Sequence, residues 1–196
     1  MNEVNEPEAL YGGNYTAKDY LSWTFDELVE LIKGKVWKMS PAPTSRHQIA
    51  NSNLSRLFGN HFVGHKCITI HAPFDVYLTH EPNDYKSART VVQPDLCVIC
   101  DRTKIREFGC VGAPDLVVEI LSKSTAKKDL NDKYNVYQEF GVKEYWVVFP
   151  LEKAITIYAL VDGRFEEHGL FNFEDEIDSK LFPELTFKLE EVFTEL

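Results

Sequence analysis

The sequence has no long apolar run and few cysteines. No stretch approaches the ~18 consecutive apolar residues of a membrane-spanning helix. Residues 1–15 are acidic and polar, unlike a secretory signal peptide. We therefore expect no membrane association. The four cysteines, Cys67, Cys97, Cys100 and Cys110, then suggest a reduced, cytoplasmic protein, because disulfide frameworks belong mainly to secreted domains.

A structural zinc site is not expected either. Cys97 and Cys100 have the spacing of a zinc-binding pair, but they fall within a predicted strand. Successive strand residues alternate between faces, so these two side chains should point in opposite directions. No second pair completes a site.

Basic residues are too few for a protein that binds nucleic acid over a wide surface. The chain has 21 Lys and Arg against 31 Asp and Glu, a formal net charge of −10 at pH 7. Phosphate contacts need Lys and Arg. The acid excess lies at the two ends, whereas the middle carries most of the basic clusters. An enzyme with a small basic rim around an acidic metal site is still compatible with this charge.

The totals predict one soluble domain. With 196 residues, of which 44% are hydrophobic and 27% charged, the chain has the composition of a globular protein with a substantial core. Residues 1–15 show no periodic pattern. We therefore expect a flexible N-terminal segment, followed by a single domain over residues 16–196.

Two apolar, β-branched runs, at residues 91–99 and 112–121, predict neighbouring strands buried on both faces. Each is entered through Pro-Asp, and Glu119 lies inside the second. A carboxylate there loses hydration worth several kcal/mol, so it must be protonated, paired or bound to a cation. Asp95, near the start of the other run, is the natural second carboxylate. Two interpretations stay open: a divalent cation shared by Asp95 and Glu119, or an ion pair between Glu119 and a buried Lys or Arg.

Strand geometry selects among the acids. Asp115 faces the same way as Glu119, but four strand steps separate the two by roughly 13 Å. One cation cannot join them directly, because metal ligands lie about 2.0–2.6 Å from the ion. Asp95 can converge with Glu119, since neighbouring strands run about 4.8 Å apart. Asp75, within a strand predicted over residues 68–78, ranks lower as a candidate.

A helix is predicted over residues 45–62. Ser45 to Gln48 has the form of a capping box, and apolar residues recur behind it at helical spacing. His47 lies in the first turn. It is either an exposed helix-start histidine or a substrate contact.

A second helix follows the Glu119 strand, with Ser124 or Thr125 as its cap and Gly141 just past its end. Lys133 lies on its inward stripe, together with Ala126, Leu130 and Tyr137. A lysine facing inward must find an anion or reach past the core to water.

The other stretches predict short elements. One or two helices are expected at 16–32, polar loops at 79–90 and 101–112, a strand at 144–149, a hairpin at 155–169, and a short strand with a helical end at 182–193. The 101–112 loop carries a basic cluster, which is either solvated or a phosphate clamp: Arg102, Lys104 and Arg106. The order of elements predicts an α/β sandwich around a mixed sheet.

The chain resembles the Uma-two family, which belongs to the restriction-endonuclease-like fold, also called the PD-(D/E)XK nucleases. The resemblance spans about residues 30 to 160. It rests on Met39-Ser-Pro, Arg46-His47-Gln48, Ala72-Pro73 with Asp75-Val76, Val92-Gln-Pro-Asp-Leu96, Gly112-Ala-Pro-Asp-Leu-Val-Val-Glu-Ile-Leu-Ser122, Ser124-Thr125, Asp132-Lys133, Tyr137 and Gly141-Val-Lys-Glu-Tyr-Trp146.

The resemblance implies an α/β fold with a mixed sheet flanked by helices and extra β-hairpins. It also implies an endonuclease that hydrolyses DNA phosphodiester bonds with Mg²⁺ or Mn²⁺. Asp95 and Glu119 would match the acids that hold the metal. Glu30 resembles an acid that the family carries ahead of its first turn, and it would be a further ligand. Members of the fold often pair to cut two strands, so a homodimer is implied too.

The sequence departs from the motif at one important position. Leu121 stands two residues after Glu119, where the motif has its catalytic lysine. Lys133 is the candidate replacement, so the predicted catalytic set is Asp95, Glu119 and Lys133. The missing lysine and the acidic charge also favour an alternative, a catalytically inactive nuclease-fold module that binds DNA or protein.

Overall fold

The computed structural model describes residues 13–24, 28–39, 43–122 and 128–194. Its α-helices are α1 Ala17–Tyr20, α2 Ser45–His61, α3 Tyr134–Phe140 and α4 Glu190–Phe193. A π-helical turn, Lys128–Lys133, leads directly into α3, and 3₁₀ turns lie at Pro82–Ser87 and Arg102–Lys104. The strands are, in chain order, β1 Val29–Ile32, β2 Lys35–Lys38, β3 Ile68–His71, β4 Val76–Tyr77, β5 Val91–Val92, β6 Leu96–Ile99, β7 Ile105–Arg106, β8 Gly109–Val111, β9 Leu116–Ile120, β10 Glu144–Phe149, β11 Ala154–Val161, β12 Arg164–Phe171, β13 Glu176–Asp178 and β14 Thr186–Lys188.

A six-stranded central sheet separates two cores. Its order is β12-β11-β10-β9-β6-β3, with β9 parallel to β10 and antiparallel to β6. On one face α2, α4 and the β13–β14 hairpin pack around residues such as Phe58 and Trp146. On the other face, α3 and a second sheet of order β2-β1-β5-β4-β8-β7 pack around Val117 and Tyr145. The predicted α/β sandwich around a mixed sheet is confirmed.

The predicted strand pair at the centre is confirmed as β6 and β9, except that Val91–Val92 forms a separate strand, β5, in the second sheet. Both strands are buried along their whole length, and within β9 the side chains alternate between the two cores. Val118 and Ile120 belong to the core beneath α2, whereas Val117 belongs to the core beneath α3. Glu119 therefore faces α3 and the second sheet.

The helix predicted over 16–32 is wrong for its second half, because Val29–Ile32 forms β1. Spacing alone did not separate a helix from a strand here, and tertiary pairing decides it. β1 pairs with β2 around a tight turn and with β5 on its other side. Both turn residues, Lys33 and Gly34, have positive φ, of 50° and 79°, as the two central positions of a type I′ hairpin turn require.

Two further boundaries differ from prediction. The cap of α2 is Thr44, one residue before the predicted Ser45, and the Thr44 hydroxyl accepts a hydrogen bond from His47 N. The 101–112 loop contains the β7–β8 hairpin, with β8 parallel to β4. Gly109 is needed there, because a Cβ would lie 2.3 Å from the Asp75 carbonyl oxygen.

The strand predicted over residues 68–78 is instead two strands, β3 in the central sheet and β4 in the second sheet, and Asp75 lies between them. Other elements agree with prediction. Helix α2, strand β10 and the β11–β12 hairpin lie where expected, and Gly141 ends α3 with φ 81°. The predicted cap at Ser124 or Thr125 lies outside the described residues, as does most of the N-terminal segment. No helix within the described ranges is long and apolar enough to cross a membrane.

The cysteines are not all reduced, contrary to expectation. Cys67 and Cys100 form a disulfide, because Cys67 precedes Ile68, Cys100 follows Ile99, and Ile68 pairs with Ile99 between the antiparallel strands β3 and β6. Cys97 and Cys110 are free and buried. Cys97 packs in the core beneath α3 and Cys100 against the core beneath α2, so the prediction that they face opposite sides is confirmed. A cytoplasmic location stays a prediction.

Candidate active site

Glu119 is held by two donors from the helical segment that follows its strand. Lys133 Nζ lies 2.8 Å from Glu119 Oε1, and the Tyr137 hydroxyl donates to the same oxygen at 2.6 Å. Lys133 and Tyr137 are one helical turn apart, so both reach the same point on β9. Burial raises the pKa of Tyr137 well above its usual value, so the hydroxyl keeps the proton that it donates.

Lys133 also contacts a second carboxylate. Its Nζ lies 2.9 Å from Oε1 of Glu30, which projects from β1 in the second sheet. The same Glu30 oxygen accepts a hydrogen bond from Gln93 N at 2.9 Å. Glu30, Glu119 and Lys133 are each at most 3% exposed. The structure therefore brings the carboxylates of Glu30 and Glu119 to the buried ammonium of Lys133, and all three are predicted site residues.

Asp95 lies at the end of the central sheet, next to the chain that follows Glu119. Its Oδ2 accepts a hydrogen bond from Ile120 N at 2.7 Å. β6 and β9 pair Leu96 with Val118, so the same register, continued by one residue, sets Asp95 opposite Glu119. Whether the two carboxylates share one cation stays a prediction.

His47 is not the exposed histidine considered above. It is 8% exposed, and its Nε2 lies 3.3 Å from Asp95 Oδ1. The Thr44 cap fixes the first turn of α2, and this places the imidazole over the end of the sheet. Asp95 thus contacts α2 and the β9 backbone, whereas Glu119 contacts α3 and the second sheet through Lys133. The carboxylates are held from opposite layers of the sandwich.

Asp75 belongs to a neighbouring network rather than to the Lys133 cluster. Its Oδ1 accepts hydrogen bonds from Gln93 Nε2 at 2.7 Å and from the Tyr20 hydroxyl at 3.0 Å. The Tyr77 hydroxyl lies 3.4 Å from Oδ2. Burial raises the pKa of Asp75, and these donors oppose that rise. Gln93 contacts both this network and Glu30.

Asp115, which strand geometry excluded from a cation site shared with Glu119, makes structural contacts. Its Oδ2 accepts a hydrogen bond from Cys100 N at 2.8 Å, and its Oδ1 lies 2.7 Å from Lys143 Nζ. Asp95 makes the equivalent contact with Ile120 N. Each Pro-Asp aspartate thus accepts a hydrogen bond from a backbone N–H at the far end of the neighbouring strand. Asp115 does so at the opposite end of the strand pair, so it serves as a structural counterpart of Asp95.

The basic cluster of the 101–112 segment holds the backbone. Arg102 Nε donates to the Lys66 carbonyl at 3.0 Å, and Lys104 Nζ donates to the Ala113 carbonyl at 2.7 Å. Arg106 donates to the Thr103 carbonyl. These contacts favour the interpretation as an ordinary loop over that of a phosphate clamp.

The donor chemistry at this end of the sheets fits a hard divalent cation. Asp95 and Glu119 supply carboxylates, and Mg²⁺ is bound in proteins by one or two carboxylates together with waters and substrate phosphates. Gln93 adds a buried amide oxygen, Oε1, that has no hydrogen-bond partner among the described residues. Within that part of the chain no cluster of three or more His, Cys, Asp or Glu could hold a metal ion. The set fits an ion whose remaining ligands come from water and substrate.

Three residues of this arrangement escaped the sequence prediction. Tyr137 lies on the same inward stripe as Lys133, so its phenol could have been inferred. Gln93 and Tyr20 gave no comparable signal. Tyr20 meets Asp75 across 55 positions of sequence, and Gln93 meets Glu30 across 63.

A family model and a relative of similar sequence both match most of the chain. A family model described as "Uma2: Putative restriction endonuclease" matches residues 17–190. The "Uncharacterized protein slr1290" of Synechocystis sp. (strain ATCC 27184 / PCC 6803 / Kazusa) is 26% identical over 144 residues, which are 72% of either chain.

A solved structure shows the same fold. It is the crystal structure of "a putative nuclease belonging to DUF820" from Anabaena variabilis ATCC 29413. Its TM-score is 0.72 at 18% identity, and the match covers 91% of this chain and 97% of that one. At this identity the likeness shows the fold, and the predicted fold class is confirmed.

Proposed function

Because the chain belongs to the Uma2 family, whose description is that of a restriction endonuclease, we propose that it is a metal-dependent endonuclease acting on DNA. The reaction is the hydrolysis of a phosphodiester bond. Asp95, Glu119 and Lys133 are the proposed catalytic residues.

One observation supports this proposal above the others: a buried ammonium lies beside Glu119, although the motif's own lysine is absent. Leu121 occupies the position two residues after Glu119, yet an ammonium group lies 2.8 Å from the Glu119 carboxylate. Lys133 comes from the helical segment 14 residues later. Glu119 thus has the ion pair with a buried lysine that was one of its two interpretations. The proposal gives the same lysine a catalytic role.

Asp95 and Glu119 would hold the metal, Mg²⁺ or Mn²⁺. When bound, such an ion polarises the scissile phosphate and lowers the pKa of the attacking water. The Lys133 ammonium supplies a fixed positive charge where negative charge develops on the phosphate. His47 fixes Asp95, and Tyr137 fixes the rotation of the Glu119 carboxylate.

Metal binding tests the proposal with a matched pair of variants. Asp95→Asn removes a proposed ligand, whereas Asp115→Asn changes the other Pro-Asp aspartate, which makes the equivalent contact with Cys100 N. Calorimetry with Mn²⁺ should detect a site in the wild type and in Asp115→Asn. That site should be lost in Asp95→Asn. Cleavage of plasmid and of single-stranded and double-stranded oligonucleotides should follow the same pattern.

Two outcomes would contradict the proposal. Equal Mn²⁺ affinity in the two variants would remove Asp95 from the metal site. Absence of both Mn²⁺ binding and cleavage in the wild type would favour the inactive binding module, which the net charge of −10 also favours. The homodimer implied by the fold is tested separately by light scattering with and without DNA.

A further inference from the structure

Glu30 has one oxygen that meets two donors from different parts of the fold. Its Oε1 lies 2.9 Å from Lys133 Nζ and accepts a hydrogen bond from Gln93 N at 2.9 Å. Glu30 is 1% exposed, on a strand buried along its whole length. The carboxylate therefore joins the second sheet to the helical segment that carries Lys133.

Gln93 is held in turn by its side chain. Its Nε2 donates to Asp75 Oδ1 at 2.7 Å, and Asp75 Oδ1 also accepts from the Tyr20 hydroxyl at 3.0 Å. Gln93 is 8% exposed. Its backbone N–H is therefore aimed at Glu30 by contacts on the far side of the residue. The same backbone continues through Pro94 into Asp95, so Gln93 is tied to two proposed site residues at once.

Lys133 needs such support because its side chain is long and flexible. Four rotatable bonds separate the ammonium from the backbone, and the conformational freedom lost on fixing a buried lysine is large. Glu119 alone gives the ammonium one acceptor and so does not fix its direction. Glu30 supplies an acceptor from another layer, which further restricts the position of Nζ.

We propose that Glu30 is a positioning residue that aims Lys133 at Glu119, and that Gln93 in turn positions Glu30. On this proposal Glu30 is not a metal ligand, in contrast to what the family resemblance implied for it. The proposal deepens the proposed function and, as a statement about catalysis, rests on it. Successive contacts lead from Asp75 through Gln93, Glu30 and Lys133 to Glu119.

Metal affinity and rate separate a positioning residue from a ligand. Glu30→Ala should leave the Mn²⁺ dissociation constant within about twofold of wild type, whereas Asp95→Asn should abolish binding. The same variant should lower kcat by about 10²-fold with little change in KM, since misplacing a reacting group by ~1 Å costs about that much. Glu30→Gln keeps an acceptor oxygen and should recover part of the rate. Loss of Mn²⁺ binding in Glu30→Ala would overturn the proposal.

A second measurement works without metal, substrate or activity. The wild-type protein in EDTA should show a slowly exchanging ¹⁵N signal from the Lys133 ammonium, because that group is buried between two carboxylates. Gln93→Ala should shift this signal or abolish its protection. Gln138→Ala is the matched control: Gln138 lies on α3, and its side-chain oxygen accepts a hydrogen bond from Phe165 N of β12 at 2.7 Å.

The control should leave the Lys133 signal unmoved. An unchanged signal in Gln93→Ala, or an equal change in both variants, would overturn the role of Gln93. Gln93→Ala does not remove a buried charge, so it stays informative if Glu30→Ala fails to fold. If the wild type cleaves no DNA while Gln93→Ala still moves the signal, the nuclease proposal fails and the positioning of Lys133 stands.

Discussion

Replacing Lys133 with methionine is the perturbation whose consequence follows most directly from the structure. The ammonium is 3% exposed and lies within 2.9 Å of Oε1 of both Glu30 and Glu119. Methionine has a similar length and no charge. The variant Lys133→Met therefore leaves two buried carboxylates close together, without the cation that lies between them.

Lys133→Met should lose a large part of the free energy of unfolding. Removing one partner of a buried ion pair costs about 3–5 kcal/mol. Lys133 has two such partners, so the upper part of that range applies. For a chain of this size 1 kcal/mol corresponds to about 2–4 °C in Tm, so a cost of about 4–5 kcal/mol gives a drop of roughly 8–20 °C. The matched control is Lys143→Met, which breaks the 2.7 Å pair with Asp115. The Lys143 side chain is 60% exposed, so about 0–1 kcal/mol is expected there.

Urea unfolding of both variants in EDTA at neutral pH measures the difference without interference from bound metal. The double variant Lys133→Met with Glu119→Gln should regain part of the loss, because it removes one of the uncompensated charges. If Lys133→Met destabilises the protein no more than Lys143→Met does, the buried cluster is not held together by this ammonium, and the reasoning is refuted.

Two further predictions concern the scaffold. Burial raises the pKa of Glu144 above its ordinary 4.5, so the folded state holds that proton more tightly than the unfolded state does. The stabilisation of the folded state by this tightly held proton is complete below pH 4.5, and it is lost as the pH rises through the raised pKa of Glu144. Measured by urea unfolding, the wild type should thus lose stability toward neutral pH relative to Glu144→Gln; a constant difference would contradict this. For the disulfide, thiol titration of the unfolded protein should find two thiols before reduction and four after it, and breaking the bridge should cost about 2–4 kcal/mol. Four thiols before reduction would show that Cys67 and Cys100 are not joined.

Local sequence patterns were sufficient for the central strands and the residues on them. The apolar runs around Asp95 and Glu119 predicted β6 and β9 because a strand buried on both faces leaves a continuous apolar signature. Helical spacing likewise put Lys133 on the inward stripe, and a buried lysine implied an anion nearby. Both signals come from neighbours within one element, so the sequence alone contained them.

Other features depended on partners distant in sequence. Val29–Ile32 is a strand because β2 and β5 flank it, although its apolar spacing also suits a helix. His47 is buried because α2 meets the end of the central sheet at Asp95, and Cys67 reaches Cys100 only through the pairing of β3 with β6.

The sequence by itself determined which side chains are buried on the central strands and that one of them, Glu119, needs a counterion. Only the tertiary structure decided that the counterion is Lys133, that Glu30 also contacts Lys133, and that Gln93 contacts Glu30. The physical reason is that a periodic pattern records the environment of one element, whereas a shared hydrogen bond depends on where separate elements meet. Glu30 and Lys133 lie in different layers, and no pattern along the chain records their 2.9 Å contact.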